Sequence, residues 1–410
     1  MGQTTLTYCR SNTGQPARIE LAGNALAPHR RCAIMGGGIL YRSMPISRRA
    51  FLGTVVGTSL AGCLNQVFGS VSLKTDDGVI NEDWDDQPPP TGTVDGPPVA
   101  SDRLHVPIDP ITIRDGILSG GVPQDGIPSI DDPVFGGPTA VDLDANDPVF
   151  GVLHGGEARA YPQSILVHHE IVNDEIANDG LAITYCPLTG TAQGFIRNGV
   201  EFGVSGLLVN SNLIMYDRVS ETRWSQILAT GIDGVHWGRS LREIPVTWTS
   251  WERWRTVHPD TTVLTTDTGH ARDYGNDPYG GYNPRSGYYA NDTTMFSPLT
   301  THEDEHPKEV VIGGRTGDGA IAFNKDRLLD EQVLNGTVGA APVVAVADPE
   351  LATGYLYLNP DGREVTPVDD MYRVDDTNHE AASLPLNRLI GFDGMWFAWA
   401  GFYPDTTYVT

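Results

Sequence analysis

Short apolar runs bounded by Gly and Pro recur along this chain, and they point to strands and turns more than to long helices. One such pattern occurs twice, 162 residues apart. Val149-Phe150-Gly151 through Ala160-Tyr161-Pro162, then Ile165-Leu166 and Ile171-Val172-Asn173, matches Val311-Ile312-Gly313 through Ala322-Phe323-Asn324, then Arg327-Leu328 and Val333-Leu334-Asn335. Each copy reads as strand, turn, strand and a short amphipathic helix. A second correspondence closes each copy: Trp251-x-x-Trp254 before His258-Pro259-Asp260-Thr261-Thr262, and Trp396-x-x-Trp399 before Tyr403-Pro404-Asp405-Thr406-Thr407. Paired aromatics three apart predict a helix whose tryptophans pack on a sheet, and the proline fixes the turn into a last strand. The expected fold is α+β and strand-rich, with two related tandem units at 105–270 and 305–410. Each would be a twisted sheet with a few short packing helices, and a Gly/Tyr/Pro-rich connector, 271–304, would join them.

The sequence before these units reads differently. Ser47-Arg48-Arg49-Ala50-Phe51-Leu52, a short small-residue apolar stretch and Leu60-Ala61-Gly62-Cys63 have the form of a twin-arginine export signal ending in a lipobox. The apolar stretch is too short to cross a bilayer. Residues 44–63 are thus expected to be the signal, with Cys63 as the lipid anchor and the protein held at the outer face of the cytoplasmic membrane. Met44 stands where a start would be, so 1–43, with Cys9 and Cys32, is read as an upstream extension. Residues 64–104 are acidic and Pro-rich, and are expected to form a solvated tether.

Charge narrows the partners. Asp and Glu number 52 against 27 Lys and Arg, a net charge of -25, and Lys74, Lys308 and Lys325 are the only lysines. Acid excess with Arg in place of Lys suits a surface hydrated in concentrated salt, where screening removes self-repulsion. No basic stripe exists to neutralise phosphates, which excludes nucleic acid as an expected partner.

Several ordered motifs carry a resemblance. They are Gly155-Gly156-Glu157-Ala158-Arg159-Ala160-Tyr161-Pro162, His169-Glu170-Ile171-Val172-Asn173-Asp174, Thr184-Tyr185-Cys186-Pro187-Leu188-Thr189-Gly190-Thr191-Ala192, Asn210 through Arg218, and Trp224-Ser225-Gln226. Through these the chain resembles the prokaryotic family called domain of unknown function 3179, over most of 126–410. The resemblance implies no activity. Some members carry a second cysteine three residues after the first; here that position is Thr189, so no resolving thiol lies within this motif.

Candidate chemistry gathers in the first unit, because the second replaces His168-His169-Glu170 by Asp330-Glu331-Gln332 and lacks a cysteine in the strand matching Leu181–Cys186. Once the signal is processed, Cys186 is the one cysteine besides Cys63. It ends a β-branched strand at a turn containing Thr189, Gly190 and Thr191, whose backbone could form an oxyanion hole. One reading joins Cys186, His169 and Met215 as a soft ligand set for a transition metal, copper before others. Glu170, Asp217 and Asn212 would then stand behind it. A second makes Cys186 a nucleophile with His169 as base and Glu170 beside it, for acyl transfer or reduction of an oxidant. A third is a cell-surface binding or scaffolding protein in which Cys186 only packs. His302 and His306, near Glu303 and Glu305, read as part of a solvated loop. The tyrosines of 272–289 could form either a ligand-covering lid or a packed connector.

Overall fold

The computed structural model describes residues 95–302 and 305–410, all within one compact unit, Gly62–Thr410. The export signal, Cys63, Cys9, Cys32 and Glu303 lie outside the described residues. In the first half the main elements are β1 (Pro148–His154), β2 (Glu157–Pro162), α1 (Gln163–Leu166), β3 (Ile171–Ile176), β4 (Asp179–Cys186) and β5 (Thr191–Ile196). They continue with β6 (Phe202–Val209), β7 (Asn212–Asp217), β8 (Arg223–Ser225), β9 (Thr230–Asp233), β10 (Glu243–Ile244), β11 (Thr247–Ser250), α2 (Trp251–Val257) and β12 (Thr262–Leu264). The second half has β13 (Val310–Arg315), β14 (Ala320–Asn324), α3 (Lys325–Glu331), β15 (Val333–Val338), β16 (Ala341–Asp348), β17 (Thr353–Leu358), β18 (Asn387–Leu389), β19 (Gly391–Met395), α4 (Trp396–Phe402) and β20 (Thr407–Val409). The protein is strand-rich α+β, with several small sheets and short helices. Among the described residues no helix is long and apolar enough to cross a membrane.

Each half builds three sheets where the sequence suggested one; two correspond between the halves, and the second half's third is made of Thr366–Val368, Met371–Val374 and Thr377–His379. The order β11-β1-β2-β12 in the first has the same form as β19-β13-β14-β20 in the second, and in both the closing strand pairs parallel to its neighbour. The order β10-β5-β4-β3 likewise has the form β18-β17-β16-β15. The first half adds a meander, β6 to β9.

The Trp helices work as expected. A Cβ on Gly151 would lie 2.1 Å from Trp254, and one on Gly313 would lie 2.2 Å from Trp399, so only glycine lets the indole lie flat on the sheet. Each indole N–H then donates to a threonine hydroxyl, Thr261 at 2.9 Å and Thr406 at 3.0 Å.

The strand carrying Cys186 sits between two cores. Leu181, Ile183 and Tyr185 of β4 face one apolar cluster, while Ala182 and Cys186 face a larger one that includes Trp224, Met215, Met395 and Trp399. The period of two along a strand buried on both faces explains its unbroken apolar run. Because the larger cluster draws on both halves, they form one body. Met395 N donates to Thr189 O at 2.9 Å and Asn210 Nδ2 to Ala398 O at 2.9 Å. At the other end, Val99 bridges Leu241 and Ala100 N donates to Ser240 O at 2.7 Å, so the last residues of the stretch read as tether lie against this body.

Candidate functional site: a buried thiol and carboxylic acid

Cys186 emerges at the end of β4, where the chain turns through Thr189-Gly190-Thr191 back into β5. The thiol is buried and donates to Ser211 O at 3.6 Å across the β6–β7 turn. Burial pushes its pKa up to about 11, and the charge of Glu170 adds to the rise; hydrogen bonds from the Thr189 side chain and the Leu213 and Thr189 backbone oppose it. The turn expected to form an oxyanion hole therefore serves the sulfur itself. The Thr189 and Thr191 hydroxyls also enter a closed network: Asn212 Nδ2 donates to Thr189 Oγ1 at 3.0 Å and to Gln226 Oε1 at 2.8 Å, and Thr191 Oγ1 donates to the same Gln226 oxygen at 2.9 Å. Gln226 Nε2 reaches Thr184 Oγ1 at 2.9 Å, which satisfies a buried polar cluster that would otherwise be costly. Gln226 and Thr184 were not singled out from the sequence as site residues. Their signals were the Trp224-Ser225-Gln226 motif for one and, for the other, the Thr184 that opens the Cys186 motif.

Glu170 follows α1 and has φ +59. Its backbone accepts from Tyr185 N at 2.7 Å, which fixes it beside the end of β4. The side chain is buried and has no hydrogen-bond partner among the described residues, and desolvation alone raises its pKa to about 8. The second half repeats the backbone but not the acid. Gln332 has φ +66, its N–H reaches Leu328 O at 2.8 Å as Glu170 N reaches Leu166 O at 2.7 Å, and its carbonyl accepts from Ala347 N at 2.9 Å. The left-handed residue thus belongs to the architecture, and the buried acid is particular to the first half.

Both ring nitrogens of His169 bond to groups other than the thiol. Its Nδ1 donates to Pro128 O at 2.8 Å, so Nε2 is left to accept from the Tyr274 hydroxyl at 2.7 Å. Burial is the main cause that lowers its pKa to about 4, which keeps the ring neutral. With both nitrogens engaged, His169 neither receives the Cys186 proton nor offers a metal a lone pair. Met215 packs in the large core opposite Trp224 on β8. Asp217 is likewise spent: its Oδ2 accepts from Trp224 Nε1 at 3.0 Å and its Oδ1 from Ser220 N at 2.6 Å, so it orients no imidazole. Among the described residues no group of three or more His, Cys, Asp or Glu is placed to hold a metal ion. The donor set expected for copper is not assembled. His302 Nε2 is hydrogen-bonded to Thr300 Oγ1 at 3.1 Å and His306 Nδ1 accepts from Lys308 N at 3.2 Å, in a non-helical loop.

The connector covers the thiol and acid. Tyr288 donates to Leu188 O at 2.7 Å, two residues beyond Cys186, and both Tyr279 and Tyr288 have raised pKa values to which burial contributes most and Cys186 contributes in part. The strap is fastened at both ends. His169 holds Tyr274, while the buried Lys308 ammonium lies 3.4 Å from the centre of the Tyr288 ring and donates to Tyr288 O and to Asn291 Oδ1.

The family described as Protein of unknown function (DUF3179) matches residues 124–406. The chain belongs to this family. No curated protein and no solved structure matches it. In this DUF3179 member the matched span takes in the thiol, the acid, the strap and most of both halves.

Proposed function

We propose that this DUF3179 member carries a thiol-dependent site in which Glu170, not His169, exchanges the proton of Cys186. The observation that carries this reading is the buried Glu170 acid, whose charge acts on the Cys186 thiol, at a backbone position where the second half places Gln332. Desolvating a carboxyl costs stability, and acids perturbed in this way concentrate at functional sites. In the reaction class proposed, acyl transfer, the Cys186 S–H proton passes to ionised Glu170 as the sulfur adds to the carbonyl carbon of a small acyl substrate admitted beneath the strap. The carbonyl then re-forms, the bond to the leaving group breaks, and that group departs with the proton from Glu170, leaving a thioester on Cys186. Peptide-resolved mass spectrometry of iodoacetamide labelling tests this. The expected result is labelling of native Cys186 faster than global unfolding, and labelling only at the unfolding rate would leave Cys186 as a packing residue.

The matching sheet orders and the paired Trp–Gly contacts support a tandem duplication, after which the first half kept the Cys and acid. The Arg48-Arg49 and Leu60–Cys63 motifs support export and lipid anchoring at the outer face of the cytoplasmic membrane, in surroundings salty enough to suit the acidic surface. Cys63→Ala should release the protein from the membrane fraction; full retention there would remove the anchor from the proposal.

A further inference from the structure

A second concavity, a cleft of about 410 Å³, opens where β11 and α2 of the first half, the connector and the start of α3 meet. In a chain with 52 acidic and 27 basic residues its wall carries Arg253, Arg285 and Lys325 and no carboxylate. Lys325 is ion-paired with Asp393 behind it. The two arginines are not paired with any carboxylate among the described residues. Arg253 Nη1 donates to Pro349 O at 2.6 Å and Glu350 O at 2.9 Å, and Arg285 Nη1 donates to Lys308 O at 3.0 Å with its guanidinium 5.6 Å from the Tyr282 ring centre. Each arginine is thereby held by one nitrogen against backbone, which leaves the rest of its fork to a ligand. The remaining wall mixes apolar Pro148, Trp248, Tyr282 and Ala352 with polar Asn146, Asn283 and Ser250, whose hydroxyl makes no capping bond to the helix it precedes.

We infer that this cleft binds a small acidic sugar, its carboxylate or sulfate group on Arg253 and Arg285 and its hydroxyls on the amide and serine groups. Two arginine forks supply the bidentate recognition that planar or tetrahedral oxyanions take. Neutral hydroxyl-bonding groups beside them serve a polyol better than a bare ion, and the volume falls within the range of small-molecule sites. On a chain with this acid excess, a recess whose wall carries three cationic side chains and no carboxylate stands out as a place to hold an anion.

Ligand-observed NMR titration of the full chain tests this with glucuronate, glucose 6-sulfate, glucose and sodium sulfate as probes. Saturable binding of glucuronate or the sulfated sugar, with glucose at least roughly tenfold weaker, is the expected result. Which acidic sugar binds better decides between carboxylate and sulfate. Arg253→Gln with Arg285→Gln should weaken that binding by roughly tenfold or more, and Arg253→Lys with Arg285→Lys, which keeps the charge and loses the forks, should fall between. Absence of saturable binding, glucose binding as tightly as the acids, free sulfate competing as well as either sugar, or unchanged affinity in the Gln pair would each overturn the assignment.

Discussion

At the residue scale the account turns on how Glu170, His169 and Cys186 divide the work. The sequence made the cysteine and acid visible because the second copy lacks both. It could not reveal the task of His169, because the partners that claim its ring are Pro128 and Tyr274, 41 and 105 residues away. That difference reverses a prediction. A histidine acting as base would slow thiol labelling when removed, whereas His169→Ala should speed it by unfastening Tyr274 from the strap, and rates measured on native protein decide between them. Glu170 also makes stability depend on pH. Its folded pKa of about 8 lies above the ordinary 4.5, so its stabilising proton is fully present below the unfolded value and is lost as pH rises through the folded one. A rise of that size corresponds to roughly 5 kcal/mol across the window. Glu170→Gln should be more stable than the native chain near about pH 9 and nearly equal to it near about pH 4, as read from denaturant midpoints.

At the element scale the legible features were those that repeat. The strand–turn–strand–helix units and the Trp helices stand where the sequence put them, since each is fixed by contacts within a short stretch: a glycine under an indole, a threonine beneath its N–H. Gly151→Ala and Gly313→Ala should each destabilise the fold by about 1–3 kcal/mol, because the new methyl would overlap a buried indole. A thermal midpoint left unchanged by either would mean that the helix can lift without cost. The division of each half into separate sheets was not legible. It is set by which strands pair, β1 with β2 in one sheet and β3 with β4 in another, and pairing of that kind leaves no period along a single strand.

At the scale of the whole molecule, composition suggested separate units on a tether, yet the largest apolar cluster takes residues from both halves and the connector. Contacts between distant segments leave no local signature, so two copies in sequence need not mean two independent bodies. The opposing titrations of Glu170 and His169 also set a stability maximum for the molecule. His169, with its folded pKa lowered to about 4, contributes stability that is present above about pH 6.5 and lost as pH falls through the folded value. Glu170 loses its contribution in the other direction, from about pH 4.5 upward to about pH 8. Unfolding free energy should therefore peak between about pH 5 and pH 7, and a monotonic profile would show that one of the two groups is not held as described. The measurement that bears most directly on the thiol–acid pair is the pH profile of Cys186 alkylation in the native chain beside that of Glu170→Gln. With the base removed, the variant should lose the rise in alkylation that follows Glu170 ionisation near about pH 8 and react only as the thiol itself ionises. Superimposable profiles would mean that the two groups do not act on each other, and the proposed site would fall.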